Sequence, residues 1–326
     1  MSRRRLFAIP LLLASVFCWP MQAAANEAFP GKTVRVIVPY PAGGVVDNVV
    51  RLYTERLSKM WSTQVIVENK PGADGNIGVS EVLRGAPDGH TLLVHGPAIV
   101  ANPALYANLP WHPTRNFRGL SVLAWVPQIA VAAADLPVKS MKELENLARK
   151  EPGKLFYAVP GAGSGNNLST QLFLQSVGVE MTAVQYKGQP DAVLDLLANR
   201  VNFMFVSPSI VLPHISAGKL RALAIAGPAR LSQLPDTPTM AESGYPSAVR
   251  PFWFSMFGLA GTPEPVLQKI NADLTTIAAS SEVQAALRNG GYQPPTAMSV
   301  AQMDALIKQD AEAWSAVIRK AGIKTE

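Results

Sequence analysis

The sequence predicts an α/β protein of two lobes with a cleft between them. Two blocks of alternating strands and helices, alike in pattern though not in sequence, run along its 326 residues, enough for two hydrophobic cores. An apolar stretch over residues 120–134 is broken by Pro127 and is suited to carry the chain between lobes. The C-terminal helices need a partner surface, and the first block is the simplest one. We therefore assign residues 27–126 and 251–326 to lobe 1 and residues 127–250 to lobe 2.

The N-terminal 25 residues predict a secretory signal peptide. Three arginines at positions 3–5 precede an apolar run over residues 6–19, and small residues follow up to Ala25. We expect cleavage after Ala25, by the Sec or the twin-arginine route, since the arginines also resemble a twin-arginine signal. The chain's one cysteine, Cys18, leaves with this segment, so the mature chain offers no thiol for disulfides, catalysis or metal binding.

The composition describes a soluble exported globular protein. Hydrophobic residues make up 48% of the chain and charged residues 16%, which argues against disorder. Without the signal, 26 basic residues face 23 acidic ones, and the formal charge falls from +6 to +3. No basic block remains to suggest nucleic acid. No later segment is apolar for long enough to span a bilayer.

The first block is organised around residues 34–47. A β-branched run over residues 34–38 predicts a buried strand, which Pro39 and Pro41 end. Apolar residues at helical spacing follow Asp47, so Asp47 is expected at or near a helix N-cap. A glycine loop at Gly43 and Gly44 that enters a helix presents backbone N–H groups suited to an anion. On spacing alone, a plain strand-to-helix turn fits equally well.

The remaining elements continue the alternation. In the first block we expect strands at residues 63–68 and 91–94, a helix at 77–83, a loop at 95–98 and irregular chain over 102–117. In the second block a capping box at Ser140 and Glu143 begins a helix. The further predicted strands cover residues 155–159, 182–186, 201–206, 220–226 and 252–259, and the further helices begin near residues 167, 190, 210, 265 and 300.

Motifs for catalysis or cofactor binding are missing from the sequence. The four histidines lack partners at metal-ligand spacing, so no metal is expected. The stretch 161–165, Gly-Ala-Gly-Ser-Gly, fails the spacing of a nucleophile elbow, and no Walker or dinucleotide loop is present. We therefore expect a protein that is not an enzyme and has no cofactor.

A second glycine-rich loop, residues 160–167, mirrors the first. It contains Gly163, Ser164 and Gly165 and ends in Asn166 and Asn167 at the start of a helix. Ligands of open α/β sheets bind at the carboxyl ends of strands, so two such loops across a cleft would form a pincer of N–H donors. A carboxylate suits this pincer, with charge-assisted bonds of about 1.5–3 kcal/mol each. A flexible surface loop is the plainer alternative.

A set of short motifs gives the chain a resemblance to a known family. The motifs are VPYPAGG at 38–44 with Asp47, VENKPGADGNIG at 67–78, APDGHTL at 86–92, NPALY at 102–106, YKG at 186–188, LPHI at 212–215, AGKLRALA at 217–224 and LPDTPT at 234–239. In this order the chain resembles the substrate-binding proteins of tripartite tricarboxylate transporters, also called Bug receptors, over essentially the whole mature sequence.

The resemblance implies a type II-like periplasmic binding protein of two Rossmann-like lobes. It implies a monomer in the periplasm that closes on a small carboxylate and delivers it to integral-membrane permease subunits. The implied ligand-binding residues are Tyr40, Ala42, Gly43, Gly44, Val46 and Asp47 in the first loop, Gly163, Ser164, Gly165, Asn166 and Asn167 in the second, and Ala98 and Ser207 around the rest of the ligand.

The chain departs from the family pattern at several positions. Val46 replaces a common threonine, Asn167 a common histidine, Val206 a common acidic residue and Ser255 a common glycine. These changes remove a hydroxyl and a charge that would suit an amino acid, so we expect a less polar carboxylate, aromatic or aliphatic. A sensor subunit that feeds a signalling partner fits the same residues, and an exported enzyme fits them less well because no nucleophile–base pair is found.

Overall fold

The structure is a computed structural model that describes residues 29–106, 108–159, 164–186, 188–246 and 252–322. The predicted signal peptide and its cleavage position lie outside the described residues. Among the helices of the described residues, none combines the length and the apolar character that a membrane crossing requires.

The strands form two five-stranded sheets. They are β1 (Val34–Val38), β2 (Val65–Asn69), β3 (Thr91–His95), β4 (Phe117–Val126), β5 (Gln128–Ala133), β6 (Phe156–Val159), β7 (Thr182–Gln185), β8 (Phe203–Val206), β9 (Leu220–Ala226) and β10 (Phe252–Leu259). The first sheet has the order β2-β1-β3-β10-β4 and the second the order β7-β6-β8-β5-β9.

Helices connect most of these strands. They are α1 (Val45–Trp61), α2 (Asn76–Val82), α3 (Ala98–Leu105), α4 (Pro113–Asn116), α5 (Met141–Lys150), α6 (Gly165–Val177), α7 (Gln189–Leu197), α8 (Pro208–Ser216), α9 (Glu264–Ala279), α10 (Ser281–Asn289) and α11 (Val300–Ala321). A single 3-10 turn, Ala73–Gly75, precedes α2.

Both sheets are mixed rather than purely parallel. In the first, β1 pairs in parallel with β2 and β3, while β10 is antiparallel to both β3 and β4. In the second, β6 pairs in parallel with β7 and β8, while β5 is antiparallel to β8 and β9. The predicted fold class, α/β with two sheet-centred lobes, is confirmed.

The central strands of each sheet are buried on both faces, whereas the edge strands β2 and β7 are partly exposed. In β1, Val34, Val36 and Val38 belong to one apolar cluster, while Ile37 belongs to the cluster on the opposite face. In β5, alternate residues likewise divide between two clusters. This explains why the strands read as continuous apolar runs, since a strand covered by helices on both sides has no solvent-facing side chains.

One prediction about the first block needs correction. The chain over residues 102–117 is not irregular, because α3 extends to Leu105 and α4 follows; Pro103 lies inside α3. Packing of α3 against α11 outweighs the proline in this short helix. Helix α1 begins at Val45 with Gly44 as its N-cap, and Asp47 lies in the first turn, near the cap as the sequence indicates.

The two connections between the sheets run side by side. The first is Pro127, between β4 and β5, and the second begins at Gly227, where an added Cβ would lie 3.0 Å from Cβ of Pro127. Gln293 joins both. Its backbone exchanges two hydrogen bonds with Trp125, and its side chain donates to the Ala229 carbonyl at 2.7 Å. Three segments of the chain, at Pro127, Gly227 and Gln293, therefore contact one another where the chain crosses between the sheets.

Candidate functional site

The first half of the candidate site lies at the carboxyl ends of β1, β2 and β3. Because these strands are parallel neighbours, the loops that follow them meet at one edge of the sheet. Tyr40, Ala42, Gly43 and Gly44 lie in the loop after β1, and Ala98 begins α3 after β3. This is the edge at which open α/β sheets bind ligands.

Asp47 organises the loop after β1. Only 2% exposed, its Oδ2 accepts hydrogen bonds from the Gly43 N–H at 2.8 Å and from Arg51 Nε at 2.9 Å. Its Oδ1 accepts from Asn69 Nδ2 at 2.9 Å, and the same amide donates to the Tyr40 carbonyl at 3.0 Å. The carboxylate therefore ties both ends of the loop to α1 and to β2.

The protonation of Asp47 follows from these contacts. Burial would raise the pKa of the carboxyl, but the hydrogen bonds from Arg51, the Gly43 N–H and Asn69 outweigh burial and lower the pKa below its usual value. Asp47 is thus ionised, and the hydrogen bonds that its two carboxylate oxygens accept fix the shape of the loop. The N–H of Gly43, expected as a donor to a ligand, is already engaged by this carboxylate.

The backbone N–H groups that this half leaves without intrahelical partners are those of the first turn of α1. A helix leaves its first N–H groups without intrahelical partners, and here these belong to Val45, Val46 and Asp47. The Val46 side chain is 5% exposed and packs in the core cluster with Val49. Any contact of Val46 with a ligand would consequently go through its N–H.

A buried aromatic pair lies beneath the same edge. The Tyr40 hydroxyl is 3.2 Å from His95 Nδ1 and accepts a hydrogen bond from the Gly96 N–H, also at 3.2 Å. His95 is fully buried, and burial lowers its pKa to about 4, so the ring is neutral at neutral pH. Burial raises the pKa of Tyr40 to about 12, and the hydroxyl keeps its proton.

The second half of the candidate site surrounds the start of α6. Ser164 is the N-cap of α6, and its hydroxyl accepts from the Asn167 N–H at 3.3 Å. Asn166 is buried and donates through Nδ2 to the Phe205 carbonyl at 3.0 Å, which fixes α6 to the end of β8. Asn167 is also buried, and Gly163 lies outside the described residues. Ser207 is the N-cap of α8, and its N–H donates to Gln189 Oε1 at 2.9 Å.

Strand β10 is a common neighbour of both halves. A Cβ added to Gly165 would lie 2.5 Å from Cε1 of Phe252, so the start of α6 rests directly on that ring. Phe252 in turn stacks on Trp314 of α11, with ring centroids 5.5 Å apart. Two residues along β10, the Phe254 ring lies 3.5 Å from the Cβ position of Gly96. The start of α6 and the loop after β3, which contacts Tyr40, thus lie against the first residues of one strand.

Sequence reasoning did not assign Arg51 or Asn69 to this region, and it placed His95 in the loop 95–98 that was expected to shape the pocket. Asn69 ends β2 at the ligand edge, and His95 ends β3 beside it. A polar residue at the carboxyl end of a predicted parallel strand was therefore the available signal. Among the described residues, no group of three His, Asp or Glu side chains is arranged to hold a metal ion.

Comparison with known proteins places these features in context. The profile described as "Tripartite tricarboxylate transporter family receptor" matches residues 49–323. Among solved structures, Rpa4515 of R. palustris with adipate is 32% identical, with a TM-score of 0.75 over 91% of this chain and 100% of the other. The periplasmic binding protein BugD is 32% identical, with a TM-score of 0.72 over 91% and 100% of the two chains.

A further solved structure is similar to the same extent. MatC from Rhodopseudomonas palustris with bound malate is 30% identical, with a TM-score of 0.71 over 89% of this chain and 100% of the other. Two of these three proteins were thus solved with a dicarboxylate bound.

Proposed function

The chain belongs to the tripartite tricarboxylate transporter family of receptors, and from that premise we propose that it captures a small carboxylate by lobe closure and hands it to a membrane permease. The first sheet with its helices would form lobe 1, over residues 27–126 and 251–326, and the second would form lobe 2, over residues 127–250. The side-by-side connections at Pro127 and Gly227 support a hinge at this point.

The observation that carries the proposal is a pair of helix N-termini, one beside each sheet. The start of α6 lies against Phe252 of β10, while the loop before α1 is joined through Tyr40 to Gly96, which lies against Phe254 of the same strand. The first turns of α1 and α6 present backbone N–H groups, and their positive dipole ends favour an anion. Each start is fixed by its own polar contacts: Asp47 holds the first, and Asn166 holds the second. Preorganised donors lower the cost of ordering on binding.

We propose that the ligand is enclosed by Tyr40, Ala42, Gly43, Gly44, Val46, Ala98, Gly163, Ser164, Gly165, Asn167 and Ser207, with Asp47 and Asn166 maintaining the shape of the two loops. The bound adipate and malate of the solved relatives support a carboxylate. The Val206 side chain is fully buried in the core of the second sheet and brings no charge for an ammonium group. We therefore propose an aliphatic or aromatic carboxylate rather than an amino acid.

We place the mature protein in the periplasm as a monomer, after cleavage at Ala25. Its partners are the permease subunits of a tripartite tricarboxylate transporter, and it binds its ligand without changing it chemically. The solved relative BugD, a periplasmic binding protein, supports the location. If the same closure were read by a signalling protein instead, purified permease would fail to retain the liganded chain.

A thermal-shift panel tests the proposal. The chain from residue 26 onward is heated with adipate, malate, benzoate, neutral amino acids and, as an inorganic control, chloride. A ligand at about 100 times its dissociation constant stabilises the folded state by roughly 2.7 kcal/mol. We expect a concentration-dependent shift with at least one carboxylate. A response to amino acids alone would contradict the ligand class, and no response to any carboxylate at saturating concentration would contradict the receptor proposal.

A further inference from the structure

His95 is a polar residue that is completely enclosed at the ligand edge. Its ring is fully buried. Nδ1 lies 3.0 Å from the Gly96 carbonyl oxygen and 3.2 Å from the Tyr40 hydroxyl oxygen. Nε2 faces the backbone of Gly75, where even a Cβ would collide with it, and has no hydrogen-bond partner in the described part of the chain. A neutral imidazole carries one proton, so one of these two nitrogens is the donor.

The surroundings favour the proton on Nδ1. A proton on Nε2 would be a buried donor without an acceptor, and it would leave the Nδ1 lone pair directed at the Gly96 carbonyl oxygen, which only accepts. A proton on Nδ1 instead donates to that carbonyl, and Nε2 becomes an unpaired acceptor, which is the smaller loss. The hydrogen-bond geometry thus selects the Nδ1–H tautomer.

This tautomer determines what the Tyr40 hydroxyl can do. The Tyr40 oxygen accepts from the Gly96 N–H at 3.2 Å and lies 3.2 Å from the Nδ1–H of His95. Because Nδ1 carries the proton that it donates to the Gly96 carbonyl, it has no lone pair for Tyr40, and the hydroxyl proton cannot be given to His95. In the described part of the chain, the contacts of the Tyr40 hydroxyl then leave its proton without an acceptor, and Tyr40 lies at the carboxyl end of β1, where the ligand is expected.

We propose that His95 is a positioning residue that keeps the Tyr40 hydroxyl proton directed at the bound ligand, so that Tyr40 donates a hydrogen bond to the carboxylate. This inference rests on the proposed function and adds to it. It gives the site one side-chain donor besides the backbone N–H groups of α1 and α6. It also explains why a histidine that is neutral and buried lies directly beneath a carboxylate site.

Two measurements test the inference. The first is a long-range 1H–15N correlation spectrum of the ¹⁵N-histidine-labelled chain, which distinguishes the two tautomers. We expect His95 to show a protonated Nδ1 with and without ligand. The second is isothermal titration of the carboxylate that gives the largest thermal shift in the panel. We expect Tyr40→Phe to weaken binding about tenfold, which corresponds to about 1.4 kcal/mol.

The His95 variants show whether the effect of Tyr40 passes through the imidazole. His95→Asn places an amide N–H near the position of Nδ1–H and should bind within about threefold of the parent. In a His95→Leu background the added loss from Tyr40→Phe should shrink below about threefold, because the hydroxyl is no longer oriented. Circular dichroism confirms that each variant is folded before titration, and the spectrum of the parent chain needs no variant.

The outcomes separate this inference from the proposed function. An Nε2–H tautomer would overturn the positioning role. Equal affinity of the parent and Tyr40→Phe for a carboxylate that binds both would overturn the donor role of Tyr40 while leaving the receptor intact. If the parent binds none of the carboxylates in the panel, the proposed function fails, and the inference fails with it.

Discussion

Replacing Asn69 with alanine is the sharpest test of how the first loop is held. The hydrogen bonds of the Asn69 side chain do not involve the backbone N–H groups of the first turn of α1, which are the proposed donors to the ligand. The side chain contacts only the shaping network, through the Tyr40 carbonyl at 3.0 Å, Asp47 Oδ1 at 2.9 Å and Arg51 Nη2 at 3.4 Å. Asn69→Ala therefore perturbs the loop without removing a proposed ligand contact.

The size of the effect follows from the contacts. A hydrogen bond to a charged group contributes about 1.5–3 kcal/mol to stability. Asn69 is half-buried, so water will replace part of its bond to Asp47, and we expect the free energy of unfolding to fall by about 1.5 kcal/mol. If the loop must be re-ordered whenever ligand binds, a similar cost enters binding, and a cost of about 1.4 kcal/mol weakens affinity tenfold.

The assay combines urea unfolding with isothermal titration of the best carboxylate ligand. Asn202→Ala is the matched control, because Asn202 is also a half-buried asparagine and its Oδ1 accepts one backbone hydrogen bond, from Phe156 N–H at 2.7 Å. It lies before β8, at the opposite end of the strand from the ligand edge. We expect it to lose stability but to keep the parent affinity.

The comparison of the two variants decides the matter. Asn69→Ala with reduced stability and unchanged affinity would refute the view that Asp47 and Asn69 shape the ligand loop. It would mean that the loop reaches its bound conformation without them. An equal loss of affinity in Asn202→Ala would also refute it, because the effect would then reflect global stability.

Two further variants probe lobe contact and acid stability. Gly165→Ala places a methyl group 2.5 Å from the Phe252 ring. Such overpacking costs about 1–3 kcal/mol, so melting temperature and affinity should both fall. Gly188→Ala, whose new Cβ meets nothing nearer than 3.6 Å, alters only the N-cap of α7 and should leave affinity unchanged. Identical melting curves for the parent and Gly165→Ala would contradict the packing of α6 on the Phe252 ring. Hydrogen bonds lower the Glu145 pKa from 4.5 to about 2, the donors being Tyr245, Arg149 and Lys142. Because the folded pKa is depressed, this stabilisation is present above about pH 4.5 and is lost as the pH falls towards 2. In urea titrations between these pH values, the free energy of unfolding of Glu145→Gln should therefore fall less steeply with decreasing pH than that of the parent. A pH dependence as steep as the parent's would contradict the role of Glu145.

The elements that the sequence predicts well are those with a local signal. Strand β1 is a short β-branched run ended by prolines, and α11 begins with a serine cap and keeps helical spacing to its end. Such signals depend on neighbouring residues along the chain, so the structure contains these elements almost as the sequence predicts them. The division at Pro127 into β4 and β5 was visible for the same reason, since proline interrupts a strand wherever it lies.

What the sequence could not show depends on contacts between distant residues. Asn69 meets Asp47 because β1 and β2 pair in parallel, which brings together residues 22 positions apart. Val46 reads as part of a ligand loop, yet helical spacing carried back one turn from Val49 places it on the buried face of α1. Helix α3 contains Pro103, and its packing against α11 helps to keep the chain helical there.

The engagement of Gly43 has the same origin. Its N–H looks like a free anion donor in the sequence, but the acid that follows four residues later folds back to accept it at 2.8 Å. The proposed carboxylate donors therefore lie in the first turn of the helix that the loop introduces, and not in the glycine loop itself. A pattern of residue types indicates the loop, but which N–H groups are already engaged emerges only from the geometry.

The central claim is that one carboxylate is held between the first turns of α1 and α6, and a ligand-bound crystal structure tests it most directly. The chain from residue 26 onward would be crystallised with the carboxylate that stabilises it most. We predict a carboxylate group within hydrogen-bonding distance, directly or through one water, of the N–H groups of Val45 to Asp47 and of the start of α6, with the Tyr40 hydroxyl as a further donor. A carboxylate bound elsewhere, for example at the surface recess that contains Arg230 and Arg288, would contradict the account.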